Sequence, residues 1–256
     1  MRAKLWSVAT ISIAAVASIT MFIWPLLISG SDVSQASIAQ AAFMSLMPVL
    51  LLVMLIEFGS GKIDSRSLAL LGLLIALNAV IRLLGAGVSG IETVFLLIIL
   101  GAYVFGPGFG FLLGTGSLFV SAILGAGVGP WLPFQMMAAG LVGLGAGLVG
   151  KWSTNVTFER VTLSVYAVIA SFSYGALMTM WNWPFLAGVG SSLSYRPGAA
   201  IIENLQAFLR YEIFTGGLLW DLGRAVTTVV LIALTGKTLL ATLRRAANKA
   251  EFGPLD

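Results

Sequence analysis

The chain has 256 residues, 59% of them hydrophobic and 9% charged, with a formal net charge of +4. A water-soluble domain of that balance would expose large apolar patches, so lipid is the implied solvent. Cysteine and histidine are both absent, which removes disulfides, Cys/His metal sites, thiol nucleophiles and histidine general bases, and the scattered basic residues form no stripe suited to nucleic acid. Neither a metal ion nor a cofactor is expected.

The N-terminus, Met1-Arg2-Ala3-Lys4 followed by an apolar run to about Ile28, has the basic start of a signal peptide. The run is too long for a signal core of roughly 7 to 15 residues and long enough to cross a bilayer. It reads as a retained first helix. Seven further apolar segments follow, at about 41 to 57, 68 to 84, 92 to 105, 109 to 124, 133 to 150, 161 to 183 and 208 to 236. The pattern predicts an all-α, polytopic transmembrane bundle. Gly106-Pro107-Gly108 splits residues 92–124 into either two compact helices or one re-entrant hairpin, both of which a protein-lined interior tolerates.

Lys and Arg distribute unevenly between alternate loops. With the N-terminus inside, one side receives Arg2, Lys4, Lys62, Arg66, Lys151, Arg160, Lys237, Arg244, Arg245 and Lys249, and the other only Arg82, Arg196 and Arg210. The positive-inside rule then puts both termini in the cytoplasm of a prokaryotic cytoplasmic membrane. Trp24, Trp131, Trp181 and Trp183 fall at predicted outer helix ends, where amphipathic rings favour the interface. The basic tail with Arg244, Arg245 and Lys249 suits contact with anionic membrane lipid.

Several motifs carry both a functional and a structural reading. Gly145 to Lys151 fits the first seven positions of a phosphate-binding loop, but Trp152 stands where a magnesium-ligating Ser or Thr belongs, and the run ends an apolar helix. Close helix packing is the better account of its glycines. Small residues also recur at four-residue spacing in Gly72 and Ala76, in Gly106, Gly110 and Gly114, and in Gly143 and Gly147. Such spacing lets helices approach within the bundle, and Gly72 and Ala76 are the pair expected to contact another subunit.

Charges inside a membrane are costly and are therefore paired or functional. Asp221 and Arg224 sit three apart on one helix and are expected to neutralise each other as a structural ion pair, with direct ligand contact as the alternative. Arg82 and Glu92 flank one loop and are candidates for fixing a polar ligand, or are simply interfacial. Trp181, Asn182 and Trp183, with Trp131 and Gln135, concentrate indoles and amides on the same face. They form either an aromatic belt or the lining of an apolar pocket with a few convergent polar groups.

From about Leu68 to Gly236 the chain resembles the S components of energy-coupling-factor transporters, the small membrane subunits that capture substrate for prokaryotic vitamin importers. The resemblance rests on the order and spacing of Asn78 to Leu84, Gly90 to Phe95, Phe105 to Gly110, Gly129 to Met136 and Trp220 to Ala225. It implies a six-helix core over residues 66–237, leaving residues 1–60 as a two-helix extension and 238–256 as a basic cytoplasmic tail. It also implies partners, a transmembrane T component and two ABC-type ATPases, met through the small residues Gly72 and Ala76. The substrate would lie in an outward pocket closed by the connections Gly85 to Ile91, Gly125 to Leu132 and Pro184 to Gln206. The resembling subgroup is associated with cobalamin uptake, and without histidine a cobalamin site would rely on shape, aromatics and amides.

The leading expectation is a substrate-capturing, non-enzymatic subunit. An ion-coupled secondary transporter using Arg82, Glu92, Glu212, Asp221 and Arg224 is the runner-up, though it would be favoured by an inverted repeat that is not visible. An intramembrane transferase with Glu92 or Asp221 as base is disfavoured by the lack of histidine and of paired carboxylates on one helix face.

Overall fold

The computed structural model describes residues 12–13, 15–27, 65–85, 91–152, 158–186, 191–215 and 217–249, without the side chains of 84, 151 and 152. The expected second helix at 41 to 57, the basic residues Arg2, Lys4 and Lys62, and the last seven residues of the tail lie outside this set. Among the described residues every regular element is helical. The principal helices are α1 (Ser65–Gly85), α2 (Val94–Phe105), α3 (Pro107–Ser121), α4 (Leu132–Trp152), α5 (Glu159–Met180), α6 (Ile201–Phe214) and α7 (Gly217–Lys249). Four of them, α1, α4, α5 and α7, are long and apolar enough to cross a membrane, and so is α3 together with the π-helical turn Ala122–Ala126 that continues it.

Residues 92–124 form two helices. Gly106 takes φ 96°, a backbone region open to glycine, and Pro107 then opens α3 where its missing N–H costs nothing. At twelve residues α2 rises only about 18 Å, short of a hydrocarbon layer of about 30 Å. It does not need to span alone. Residues Val94 to Tyr103 are all buried, and α1, α3, α4, α5 and α7 surround them, so α2 is the axis of the bundle.

The α3–α4 pair carries the closest packing. The helices run antiparallel, with Gly110 opposite Gly143, Gly114 opposite Ala139 and Gly147 opposite Pro107. A Cβ on Gly143 would overlap the Gly110 carbonyl, and one on Gly114 would overlap the Ala139 carbonyl. Small residues are needed because lipid supplies no hydrophobic drive between helices, leaving dispersion between close backbones to hold them. The stretch resembling a phosphate-binding loop is part of this seam: it is the helical end of α4, with Gly147 against Pro107 and Gly150 against the Tyr103 carbonyl.

The eighth apolar segment departs from expectation. Instead of one helix over 208 to 236, α6 ends at Phe214 and α7 begins at Gly217, where the sequence Thr215-Gly216-Gly217 disfavours helix continuation. The boundary expected at 237/238 is not a break either, since α7 continues to Lys249. Its 33 residues rise about 50 Å, past the limits of a bilayer. Leu240, Leu243 and Ala247 are buried on this extension, and Arg244 pairs with Glu159 of α5. Hence the helix persists because one face is still packed.

The N-terminal segment joins the core. Met21, Phe22 and Trp24 belong to the same buried cluster as α2 and α4. Exposed Leu73, Leu77 and Val80 on α1, and Val165 and Ile169 on α5, give the bundle its apolar outside.

The glycine seam makes a direct prediction. Overpacking a filled interior costs typically about 1–3 kcal/mol, so Gly143→Leu should lower the thermal unfolding midpoint in detergent sharply or prevent folding. Gly72→Leu, at a position with nothing within 4 Å of an added Cβ, should keep the parental midpoint. Equal midpoints for both variants would refute the seam.

Candidate functional site

One end of the bundle gathers most of the polar candidates. Arg82, in the last turn of α1, donates from Nη1 to Ser121 Oγ at 2.9 Å and from Nη2 to Gln135 Oε1 at 3.4 Å. Its Nε lies 3.6 Å from Glu92 Oε1. Thr93 Oγ1 donates to the Ile81 carbonyl at 2.7 Å, which folds the start of α2 back onto the end of α1. One guanidinium therefore ties the ends of α1, α2, α3 and α4. Of its contacts only that to Ser121 has full hydrogen-bond geometry; the other two are long, and the buried Nε finds no acceptor nearer than the Glu92 carboxylate. The arginine retains donor capacity in an environment where unspent donors are expensive.

The stripe continues inward. Asn78, one turn before Arg82 on α1, is fully buried with neither amide atom partnered, and Ser117, one turn before Ser121 on α3, has an unpartnered hydroxyl. Buried polar groups are normally satisfied, so Asn78 and Ser117, with Ser121 as the acceptor for Arg82, are functional candidates that sequence reasoning missed. Helical spacing from Arg82 would have pointed to Asn78. Nothing in the sequence pointed to the serines of α3, which meet α1 only through the fold.

The aromatic candidates divide. Trp181, directly after α5, stacks on Phe134 at 3.9 Å with a 7° interplanar angle, and its buried Nε1 has no acceptor. Phe134 immediately precedes Gln135, so Trp181 and Arg82 share the start of α4. Trp183 does not join them. It is fully buried in a second cluster with Met180, Ala207 and Phe208, and its Nε1 donates to the Leu193 carbonyl at 2.8 Å. Asn204 extends this arrangement, accepting from the Arg196 amide at 2.9 Å and donating to its carbonyl at 3.0 Å. Trp183 thus anchors the connection before α6. Asn182 is half-buried and sits in the turn between the two indoles, its backbone N–H donating to the Thr179 carbonyl. Trp131 is 44% exposed and lies over Gly129, outside the group around Arg82.

Asp221 and Arg224 form an ion pair at 2.5 Å in the interior of α5 and α7. Gly175 of α5 makes room for the carboxylate, since a Cβ there would overlap it. The guanidinium donates to the Ser171 carbonyl at 3.3 Å and lies over the rings of Tyr174, at 4.8 Å, and Phe95, at 5.8 Å. These contacts join α2, α5 and α7 and set the two opposite charges against each other. Glu212 differs. It is buried on α6, a helix too short and amphipathic to span, and neither oxygen is well partnered. Burial pushes its carboxyl above the ordinary 4.5, with the Thr179 hydroxyl opposing and the Asp221 charge reinforcing. Gly72 and Ala76 are exposed on α1, away from this end. Among the described residues no group of His, Cys, Asp and Glu is arranged to hold a metal ion.

Apolar spanning helices around a buried axis, with a polar and aromatic cluster at one end, define a multi-pass helical membrane protein. The chain belongs to the ECF transporter substrate-specific component family, whose model matches residues 66–243. It is accordingly the substrate-binding subunit of an ECF transporter, a family of transport proteins. No curated protein and no solved structure matches the chain.

Two outcomes follow from these buried charges. Removing one partner of a buried ion pair costs about 3–5 kcal/mol, so Arg224→Ala should be strongly destabilised in thermal unfolding while the paired change Asp221→Asn with Arg224→Met recovers most of the loss. For Glu212 the folded state holds its proton to higher pH than the unfolded state does, so its contribution is fully present below the ordinary carboxyl value and is lost as pH rises through the raised one. Glu212→Gln should therefore unfold at a higher temperature than the parent near about pH 8, with the gap closing towards about pH 4.

Proposed function

We propose that this subunit captures a vitamin or vitamin-like micronutrient, cobalamin being the first candidate, at the Arg82 end of the bundle and delivers it to an ATP-driven importer. The carrying observation is Arg82 itself, a half-buried guanidinium with one well-formed hydrogen bond, a long contact to Gln135 and an Nε that reaches only the Glu92 carboxylate, at 3.6 Å. Hydrogen bonds to a charged group contribute about 1.5–3 kcal/mol, enough to orient a carboxamide, carboxylate or phosphate. Gln135 and Trp181 add an amide and an indole N–H beside it, with Glu92 as counter-charge, and Asn182 and Trp131 border the same end. Trp183 shapes the connection that borders the pocket instead of touching the ligand.

The imbalance of Lys and Arg along the chain supports an outward-facing Arg82 end, with both termini in the cytoplasm of a prokaryotic membrane. The energising partners in this reading are a transmembrane T component and two ABC-type ATPases. Gly72 and Ala76 would meet the T component, supported by their exposure on α1 beside exposed Leu73 and Leu77 and by the close approach that small residues allow. Cobalamin is supported by the subgroup resemblance alone, and the absence of histidine leaves aromatics and amides to recognise it.

Native mass spectrometry of the detergent-purified protein from a vitamin-replete host should reveal one retained small molecule and its mass. Arg82→Ala should weaken retention by roughly 10- to 100-fold, matching the loss of one or two charge-assisted hydrogen bonds. Gly72→Leu should retain the molecule but fail to co-purify with the T component. Uptake in cells should collapse on ATP depletion. Uptake that instead follows the proton gradient without ATPase subunits would assign the chain to ion-coupled transport.

A further inference from the structure

Met21, Phe22 and Trp24 precede the matched family region, yet they are 1%, 0% and 1% exposed. Their contacts are directional. The Phe22 ring meets Phe134 edge-on at 5.7 Å, and Phe134 is the ring that stacks on Trp181. Trp24 Nε1 donates to the Trp181 carbonyl at 3.0 Å, and its ring lies 6.0 Å from Phe185. Leu26 packs against the separate cluster around Trp183 and Phe208. This short hook therefore touches the first turn of α4 and the connection after α5 at once. A helix that merely anchored the chain in hydrocarbon would require neither contact. The indole bond satisfies a carbonyl left over at the end of α5, and the edge-on pair favours one ring geometry.

We infer that Phe22 and Trp24 form a further wall of the substrate chamber, closing it between the start of α4 and the connection after α5. The inference rests on the reading that the chamber lies at the Arg82 end. Beside this wall the buried Trp181 Nε1 has no acceptor, and at the same end the buried Arg82 Nε reaches only the Glu92 carboxylate, at 3.6 Å, beyond hydrogen-bond length. Rings flanked by unspent N–H groups suit a ligand that presents a flat or ring-bearing body with carbonyl or other acceptor atoms on its edge. The N-terminal extension is then a determinant of which ligands fit and how long they stay.

The absence of cysteine allows a clean test. Gln135→Cys supplies the sole thiol of the full chain, and its reaction with a membrane-impermeant anionic methanethiosulfonate is followed in right-side-out and inverted vesicles. With the wall in place, labelling from outside should be slow. Adding Phe22→Ala should speed it about tenfold or more, the change expected when a packed contact that limits opening is lost. Trp24→Phe, which keeps a ring and loses the Nε1 donor, should lie between and guards against a Phe22 variant that fails to fold. Equal outside rates in parent and variants overturn the wall and leave the chamber where it was assigned. Labelling confined to inverted vesicles in every variant overturns the chamber's orientation and the wall with it.

Discussion

Gly110 of α3 and Gly143 of α4 meet with no side chain between them, and the remainder of the bundle is arranged around that approach. In water the same two helices could be driven together by burying leucines, but in lipid that drive vanishes and close backbone contact must replace it. The seam brings the start of α4 beside the end of α3. It therefore sets Gln135 and Ser121 at the separation that a single arginine from α1 can bridge. The short α2 fits inside as an apolar axis because the surrounding helices meet the hydrocarbon in its place.

Polar groups in this interior follow two different rules. Asp221 and Arg224 neutralise one another and spend their remaining capacity on the Ser171 carbonyl and on the faces of Tyr174 and Phe95. That arrangement fastens α7 to α5 and α2. At the Arg82 end the groups are left incomplete: a loose ion pair from Arg82 Nε, a long amide contact, and unpartnered nitrogens on Asn78 and Trp181. Incomplete polar networks are costly in low dielectric, and a binding protein is the setting in which a ligand completes them. The contrast separates a completed cluster from an incomplete one more clearly than the residue types do, since both are built on an arginine beside an acid.

Much of the fold could be read from the chain. Apolar runs of span length located α1, α4 and α5, and the four-residue spacing of glycines pointed to close packing within the bundle, which the structure places between α3 and α4. The i, i+3 spacing of Asp221 and Arg224 announced their pairing. The ends of the last helices could not be read in this way, because hydropathy falls past Gly236 while α7 continues to Lys249 on the strength of tertiary contacts such as that of Arg244 with Glu159. The site was legible in part. Arg82, Glu92, Gln135 and Trp181 were recognisable as costly or amphipathic residues at helix ends, whereas Ser117 and Ser121 look like any small residues of a glycine-rich helix.

Trp181 and Trp183 show where sequence stops. Two residues apart and alike in chemistry, they turn to opposite sides of one tight turn, one onto Phe134 and the other onto Phe208. By itself the sequence determined that the protein lives in lipid, that its helices pack through small residues, and that it has no histidine or thiol chemistry. Those properties follow from composition and local spacing. Which donors remain unspent, which indole stacks on the start of α4, and that Phe22 and Trp24 return to the core were decided by tertiary structure alone. Each depends on groups far apart in the chain arriving within a few ångströms of one another.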